Sequence, residues 1–215
     1  MDQIVPLPTR WEQRWEQTRA WLSLGPIFIP AGGRLFEKYS EPGRYYHDAR
    51  HILSCLESLD AYPGKIENHT ALELALWYHD AVYDPKASDN EARSAGFFRS
   101  EFAAFASGIE KVEGLILATR HEQGEPVTPD ASLMSDIDLG ILGAAPPRYH
   151  LYAGDIRREY SHVDDQAYRD GRCAVLKSFL GREQIYHTRH FRKLLEDQAR
   201  SNLLTELDGL LGRSD

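Results

Sequence analysis

Apolar residues recur at helical spacing along most of the chain. In the first such stretch Trp11, Trp15, Thr18 and Leu22 fall on one face of a helix. No alternating run of useful length indicates a strand, and no Asn-Gly hairpin signal occurs. The sequence therefore predicts an all-α protein. The other stretches with helical spacing cover residues 45–59, 70–80, 88–102, 109–120, 130–142, 147–160, 165–180 and 188–212.

Residue types at three predicted helix starts are typical of N-terminal caps. Thr70 with Glu73, and Ser88 with Glu91, each match the capping-box pattern, in which a hydroxyl and a carboxylate satisfy free backbone N–H groups. Thr128 is followed by proline, which suits the first turn of a helix because no N–H is needed there. These signals place helix starts at residues 70, 88 and 128.

Glycine and proline indicate where the chain leaves helical structure. The segment GPIFIPAGG, residues 25–33, is predicted to be a loop on this ground. No internal repeat and no low-complexity linker divides the 215 residues. The sequence therefore predicts a single helical domain over residues 1–215, a length that allows a sizeable buried core.

Charge and composition limit the classes of partner. The chain has 25 Lys and Arg against 33 Asp and Glu, a formal charge of −8, and no basic run. Such a surface repels long nucleic acids and anionic membranes on average, while a local pocket for one small anion stays possible. The two cysteines, Cys55 and Cys173, give no disulfide framework and favour a reducing compartment. With no signal-peptide pattern and no apolar run of about 18–20 residues, a cytoplasmic protein without a membrane partner is expected.

Histidines and aspartates form the most informative pattern. His79 and Asp80 are adjacent at the end of an apolar helix, and both side chains are ligands of first-row metal ions. His47 and His51 lie four residues apart, which predicts a shared face on the helix of residues 45–59. With Asp138 later in the chain, the order becomes His, then His-Asp, then Asp.

This order resembles the signature of the HD-domain superfamily of metal-dependent phosphohydrolases. The likeness is carried by YYHDARHI, WYHDAVYD, SDNEARSA, ATRH, SDIDLGILG and IRREY, and is strongest over residues 44–142. It implies a helical bundle, with the C-terminal helices of residues 147–212 packing on the metal-site core. It also implies one or two divalent ions (Mn, Mg, Fe, Co, Ni or Zn). The implied ligands are His51, His79, Asp80 and Asp138, with Asp136 as the alternative to Asp138.

A more distant likeness suggests different roles for the two neighbouring histidines. Cyclic-nucleotide phosphodiesterases have a His-Asn-x-x-His run, in which the second histidine binds metal and the first protonates the leaving oxygen. The segment YHDARH has this spacing, with Asp48 in place of asparagine. The resemblance therefore implies His51 as a ligand and His47 as a general acid, and an orienting or capping role is the alternative for His47.

Further residues are candidates for contacts with the catalytic water or with a substrate phosphate, and each has a structural alternative. The same resemblance implies two acids near the water, which are Asp84, otherwise a turn residue, and Glu91, otherwise a capping residue. The phosphate candidates are His121, which the same resemblance implies and which is otherwise a cation at a helix C-terminus, and three arginines, otherwise solvated or ion-paired. These arginines are Arg44, Arg120 and Arg157.

The expected function is hydrolysis of a phosphate ester of a nucleotide or another small molecule through a metal-activated water. A non-catalytic helical module that binds a metal or nucleotide is the main alternative. A di-iron oxygenase of the HD type is a further one, with His121 as its extra ligand. A zincin-like peptidase based on HDARH leaves His79 and Asp80 unexplained. The oligomeric state is not predicted.

Overall fold

A computed structural model of the chain describes residues 5–103, 108–121, 126 and 128–212. This part of the chain contains ten α-helices, two short 3-10 turns at Pro26–Phe28 and Leu139–Gly143, and no strand, which confirms the all-α prediction. The helices are α1 (Leu7–Trp21), α2 (Ile29–Tyr39), α3 (Ala49–Asp60), α4 (His69–Tyr78), α5 (Asn90–Glu101), α6 (Ile109–Leu117), α7 (Pro129–Asp138), α8 (Pro146–Glu159), α9 (Asp165–Leu180) and α10 (Arg189–Leu210).

The chain divides into two compact units, Met1–Glu125 and Pro126–Asp215. The first contains α1 to α6 and the second contains α7 to α10. The single domain expected from the sequence stays a prediction. Among the described residues, no helix combines the length and the apolar character that a membrane span requires.

Aromatic residues form the centre of the first unit. The Trp77 ring meets Trp11 and Trp15 edge-on, with ring centroids 4.7 and 5.1 Å apart. Both of these α1 indoles donate to backbone carbonyls, Trp11 to Gly32 at 2.8 Å and Trp15 to Phe28 at 3.1 Å. Because a buried indole N–H needs an acceptor, these bonds fix α1 against the first turn of α2 and the residue that precedes it.

The loop prediction for residues 25–33 is wrong at its C-terminal end, because α2 begins at Ile29. Pro30 lies in the first turn, where its missing N–H costs no hydrogen bond. Gly32 lies directly against the Trp15 ring, and a Cβ at this position would be 2.3 Å from Cδ1 of the indole. The glycine is therefore required by packing against α1 rather than by a turn.

The third helix begins later than predicted, at Ala49 rather than at residue 45. Asp48 is its N-cap, and the carboxylate accepts from the backbone N–H of Arg50 at 2.8 Å and of His51 at 3.4 Å. His47 therefore precedes the helix, and the prediction that His47 and His51 share a helical face is wrong. Aspartate is among the most favoured N-cap residues, which explains this boundary.

The capping box predicted at Thr70 is wrong. The N-cap of α4 is Asn68, whose side chain accepts from the Ala71 N–H at 3.0 Å. Glu73 is buried instead of capping, and accepts from the Thr18 hydroxyl and from the Arg14 guanidinium at 2.8 Å. The glutamate thus belongs to the polar contacts between α1 and α4.

Of the two other predicted helix starts, one is wrong and one is confirmed. Asp89 is the N-cap position of α5 and makes no side-chain capping bond, so the box at Ser88 does not form. Thr128 caps α7 as predicted, since its hydroxyl accepts from the Ala131 N–H at 3.1 Å.

In the second unit α10 packs against the turn that follows α7. The Asn202 side chain donates to the carbonyls of Leu142 and Ala144, each at 2.8 Å. Gly143 is in close contact with Leu195, where an added Cβ would be 2.5 Å from the leucine Cβ. These contacts hold the segment after α7 against the middle of α10.

Candidate metal centre

The end of α4 places two of the predicted ligands. His79 is the C-cap residue, and its backbone N–H still bonds to the Ala75 carbonyl at 2.9 Å, so it follows the helical path. Its buried ring has Nδ1 3.0 Å from the Leu76 carbonyl. A carbonyl can only accept, so Nδ1 carries the proton in this contact, and Nε2 of the neutral ring is left with a lone pair. This is the tautomer that a metal-binding histidine needs.

The third residue of the cluster comes from the first turn of α3. The buried His51 ring has Nε2 3.2 Å from Nε2 of His79. The Oδ2 atom of Asp80 lies 3.2 Å from Nε2 of His79 and 3.7 Å from Nε2 of His51. The first unit therefore brings together three of the four predicted ligands, with donor atoms within 4.8 Å of one another.

The size of this three-residue cluster fits a divalent ion. Separations of 3.2, 3.2 and 3.7 Å define a triangle whose corners are about 2.0 Å from one common point, close to the roughly 2.0–2.2 Å of bonds from zinc to nitrogen and oxygen. Two imidazoles and one carboxylate are suitable ligands for most first-row ions. The residues could thus hold a metal ion, whose identity they leave open.

The charges around this cluster change the pKa of a buried tyrosine, Tyr39. The Tyr39 hydroxyl donates to the Trp77 carbonyl at 2.9 Å. Burial, followed by the negative charge of Asp80, raises the pKa of Tyr39 well above its ordinary value, and Arg44 acts in the opposite direction. The phenol therefore stays protonated and keeps its bond to the end of α4.

The two candidate aspartates of α7 lie in the second unit. Both Asp136 oxygens are engaged, one by the N–H of His187 and one by that of Thr188, each at 2.7 Å. Burial raises the pKa of Asp136, and these two donors act in the opposite direction. Asp136 therefore anchors the start of α10. Asp138 is the last residue of α7 and is half-buried, and its role as the fourth ligand stays a prediction.

His47 lies beside the cluster although it is outside α3. Its ring stacks on Tyr83, with centroids 4.2 Å apart and planes inclined by 27°. The His47 and His51 centroids are 6.1 Å apart. The ring is only half-buried, so a substrate could reach it. Tyr83 was not predicted from the sequence, and its only signal is an aromatic residue shortly after His79 and Asp80.

The first unit also contains the other candidate acids and one candidate cation. The exposed Asp84 carboxylate accepts from the Lys86 N–H at 2.9 Å, which is the turn role given as its alternative. Glu91 is half-buried and pairs with Arg120 at 3.3 Å. His121 follows α6 and is half-buried. Roles of these residues in catalysis or substrate binding stay predictions.

Two of the three candidate arginines are engaged with backbone carbonyls. In the second unit Arg157 donates to Tyr160 at 2.7 Å and to Val163 at 3.1 Å, and pairs with Asp165 at 2.7 Å. These bonds satisfy carbonyls at the end of α8 and in the turn that follows it. Arg44, in the first unit, is buried and donates to three carbonyls next to the metal-binding candidates.

Comparisons of the chain with protein-family models, with curated proteins and with solved structures found no match in any of the three. Membership of the HD-domain superfamily therefore stays a prediction based on the residues quoted above.

Proposed function

We propose that the protein is a metal-dependent phosphohydrolase of the HD type. The substrate class is a phosphate ester of a nucleotide or of another small molecule. The observation that supports this proposal best is the cluster of His51, His79 and Asp80, in which a backbone carbonyl holds the His79 ring in the metal-binding tautomer. A buried histidine pair beside a carboxylate is costly to desolvate unless the groups have a partner, and a divalent cation suits all three.

The residues around the cluster fit the steps of this reaction. A divalent ion held by His51, His79 and Asp80 would lower the pKa of its bound water and would offset charge on the phosphoryl oxygens. His47, beside the cluster and accessible, is suited to give a proton to the leaving oxygen. Asp80 contributes the negative charge of the cluster and favours cation binding. The small phosphorylated partner and the cytoplasmic location belong to the same proposal.

The test combines metal analysis with a broad panel of phosphate esters. We expect the purified protein to retain or take up a divalent metal and to hydrolyse at least one ester class in a metal-dependent way. Hydrolysis that persists after metal removal would refute the proposal. Bound metal with no hydrolysis across the panel would favour the non-catalytic metal-binding module instead.

The fourth ligand is tested separately by comparing the two aspartates of α7. Asp138→Ala is expected to weaken metal binding while leaving the fold intact. Asp136→Asn is expected to leave metal affinity unchanged and to lower the free energy of unfolding by about 1–3 kcal/mol, because one backbone N–H loses its acceptor. The opposite result, with metal lost only from the Asp136 variant, would show that the ligand was assigned to the wrong aspartate.

A further inference from the structure

Arg44 joins two segments that contribute to the candidate metal centre. Its Nη1 donates to the carbonyl of His47 at 3.0 Å and to that of Asp80 at 2.7 Å, and its Nη2 donates to that of Ala81 at 3.1 Å. The first carbonyl belongs to the segment that enters α3, and the other two belong to the segment that leaves α4. One side chain therefore links the approaches to His51 and to Asp80.

The burial of this guanidinium needs an explanation. The Arg44 side chain is only 2% exposed, while its nearest carboxylate, Glu41, is 41% exposed and 3.4 Å away. The guanidinium lies over the rings of Tyr39 and Tyr83, at 5.2 and 5.6 Å from their centroids. Burying a cation with such a weak ion pair is costly, and an apolar side chain could fill the same space. What an apolar residue could not supply is the set of bonds to three carbonyls.

We propose that Arg44 is a positioning residue that fixes the distance between His51 and the His79–Asp80 pair. This inference rests on the proposed metal centre and assigns Arg44 no contact with substrate. The planar fork of arginine reaches carbonyls on two segments at once, whereas a lysine ammonium on its flexible stem cannot hold the same set in place. The positive charge beside Asp80 also balances part of the negative charge near the cluster.

The test measures metal affinity rather than hydrolysis. Mn²⁺ and Zn²⁺ are titrated separately into the metal-free protein, at a temperature where circular dichroism shows each variant to be fully folded. Arg44→Lys is the main variant, and Arg44→Met removes the charge as well. Arg172 gives a matched control, because it is equally buried but bonds to Glu206 in the second unit. Arg172→Lys is expected to lose stability without losing metal affinity.

The expected result is a fall in metal affinity of about 10–100-fold for Arg44→Lys, the usual effect of removing a group that orients metal ligands, and a larger fall for Arg44→Met. Unchanged affinity in folded Arg44 variants would overturn the inference and leave the metal centre intact. An equal loss in Arg172→Lys would also overturn it, because the effect would then follow stability alone. A wild-type protein that binds neither ion would overturn the metal centre itself.

Discussion

Asp80 is the anionic donor of the three-residue cluster, so its replacement by alanine is the most direct test of the candidate metal centre. Its Oδ2 lies 3.2 and 3.7 Å from the two imidazole nitrogens. Without it the cluster keeps only two imidazole rings, which bind a hard divalent ion such as Mn²⁺ poorly and give any divalent ion no compensating negative charge. The predicted effect is on both metal affinity and the stabilisation that metal gives to the folded protein.

The size of the effect follows from the linkage between binding and folding. At a metal concentration of 100 times its dissociation constant, an ion that binds only the folded state stabilises it by about 2.7 kcal/mol. At about 2–4 °C per kcal/mol for a chain of this size, the wild-type Tm should rise by roughly 5–11 °C. Loss of groups that only orient a ligand costs about 10–100-fold in affinity, so loss of a ligand should cost at least about 100-fold. The same metal concentration then gives about 0.4 kcal/mol and a rise of no more than about 1–2 °C.

The assay is thermal unfolding of metal-free protein with and without Mn²⁺ or Zn²⁺. Asp89→Ala is the control, because this aspartate is exposed, lies in the same unit and makes no capping bond. The control should keep the full metal-dependent shift. An undiminished shift in Asp80→Ala would refute the reasoning, since the ion would then bind elsewhere.

Three further substitutions test the other assignments. His47→Ala should keep its metal and lose about 10²–10⁴-fold in turnover with substrates that have poor leaving groups. The loss should be much smaller with p-nitrophenyl esters, because their leaving group needs no proton. Equal losses on both kinds of substrate, or loss of metal, would contradict the general-acid role. Gly32→Ala should lower the free energy of unfolding, measured by thermal unfolding, by about 1–3 kcal/mol because the new Cβ would meet the Trp15 indole ring. Gly33→Ala is the control, because a Cβ there meets open space, and it should be neutral or stabilising by up to about 1 kcal/mol. Equal effects of the two substitutions would contradict the packing described. Glu73→Ala should cost about 1–3 kcal/mol in urea unfolding, because Thr18 and the largely buried Arg14 lose a buried acceptor and Arg14 keeps only the exposed Asp60 as its ion-pair partner. Glu57→Ala, at a side chain that is 64% exposed, should cost only about 0–1 kcal/mol, and similar losses would show that burial does not matter here.

Local periodicity was enough to predict most of the helices. The spacing of apolar residues depends only on which face of each helix is buried, so the all-α class and most of the helical stretches could be predicted from the sequence. The cluster of His51, His79 and Asp80 was predicted for a different reason. Each residue type has few uses in a core other than ligation or hydrogen bonding, and the resemblance to a known signature indicated which ones converge.

The errors occur where the outcome depends on contacts between distant residues. Gly32 looks like a loop residue until the position of Trp15 is known, and only that contact explains why a glycine stands inside α2. Competing caps cannot be ranked from the sequence either, because Asn68 and Thr70 are both good N-cap residues and burial of Glu73 decides between them. The orientation of Arg44 towards carbonyls likewise depends on the approach of α3 to α4.

The bond from His79 to the Leu76 carbonyl has a consequence for the dynamics of α4. Because the acceptor is backbone within the same helix, no side-chain substitution at Leu76 can remove it. Opening of the last helical turn would carry the His79 ring away from His51 and Asp80, so an ion bound to this ring would oppose fraying of the turn. Occupancy of the centre should therefore slow hydrogen exchange at the His79 amide, which bonds to Ala75 in that turn. The helix end would then report on the ion through its backbone.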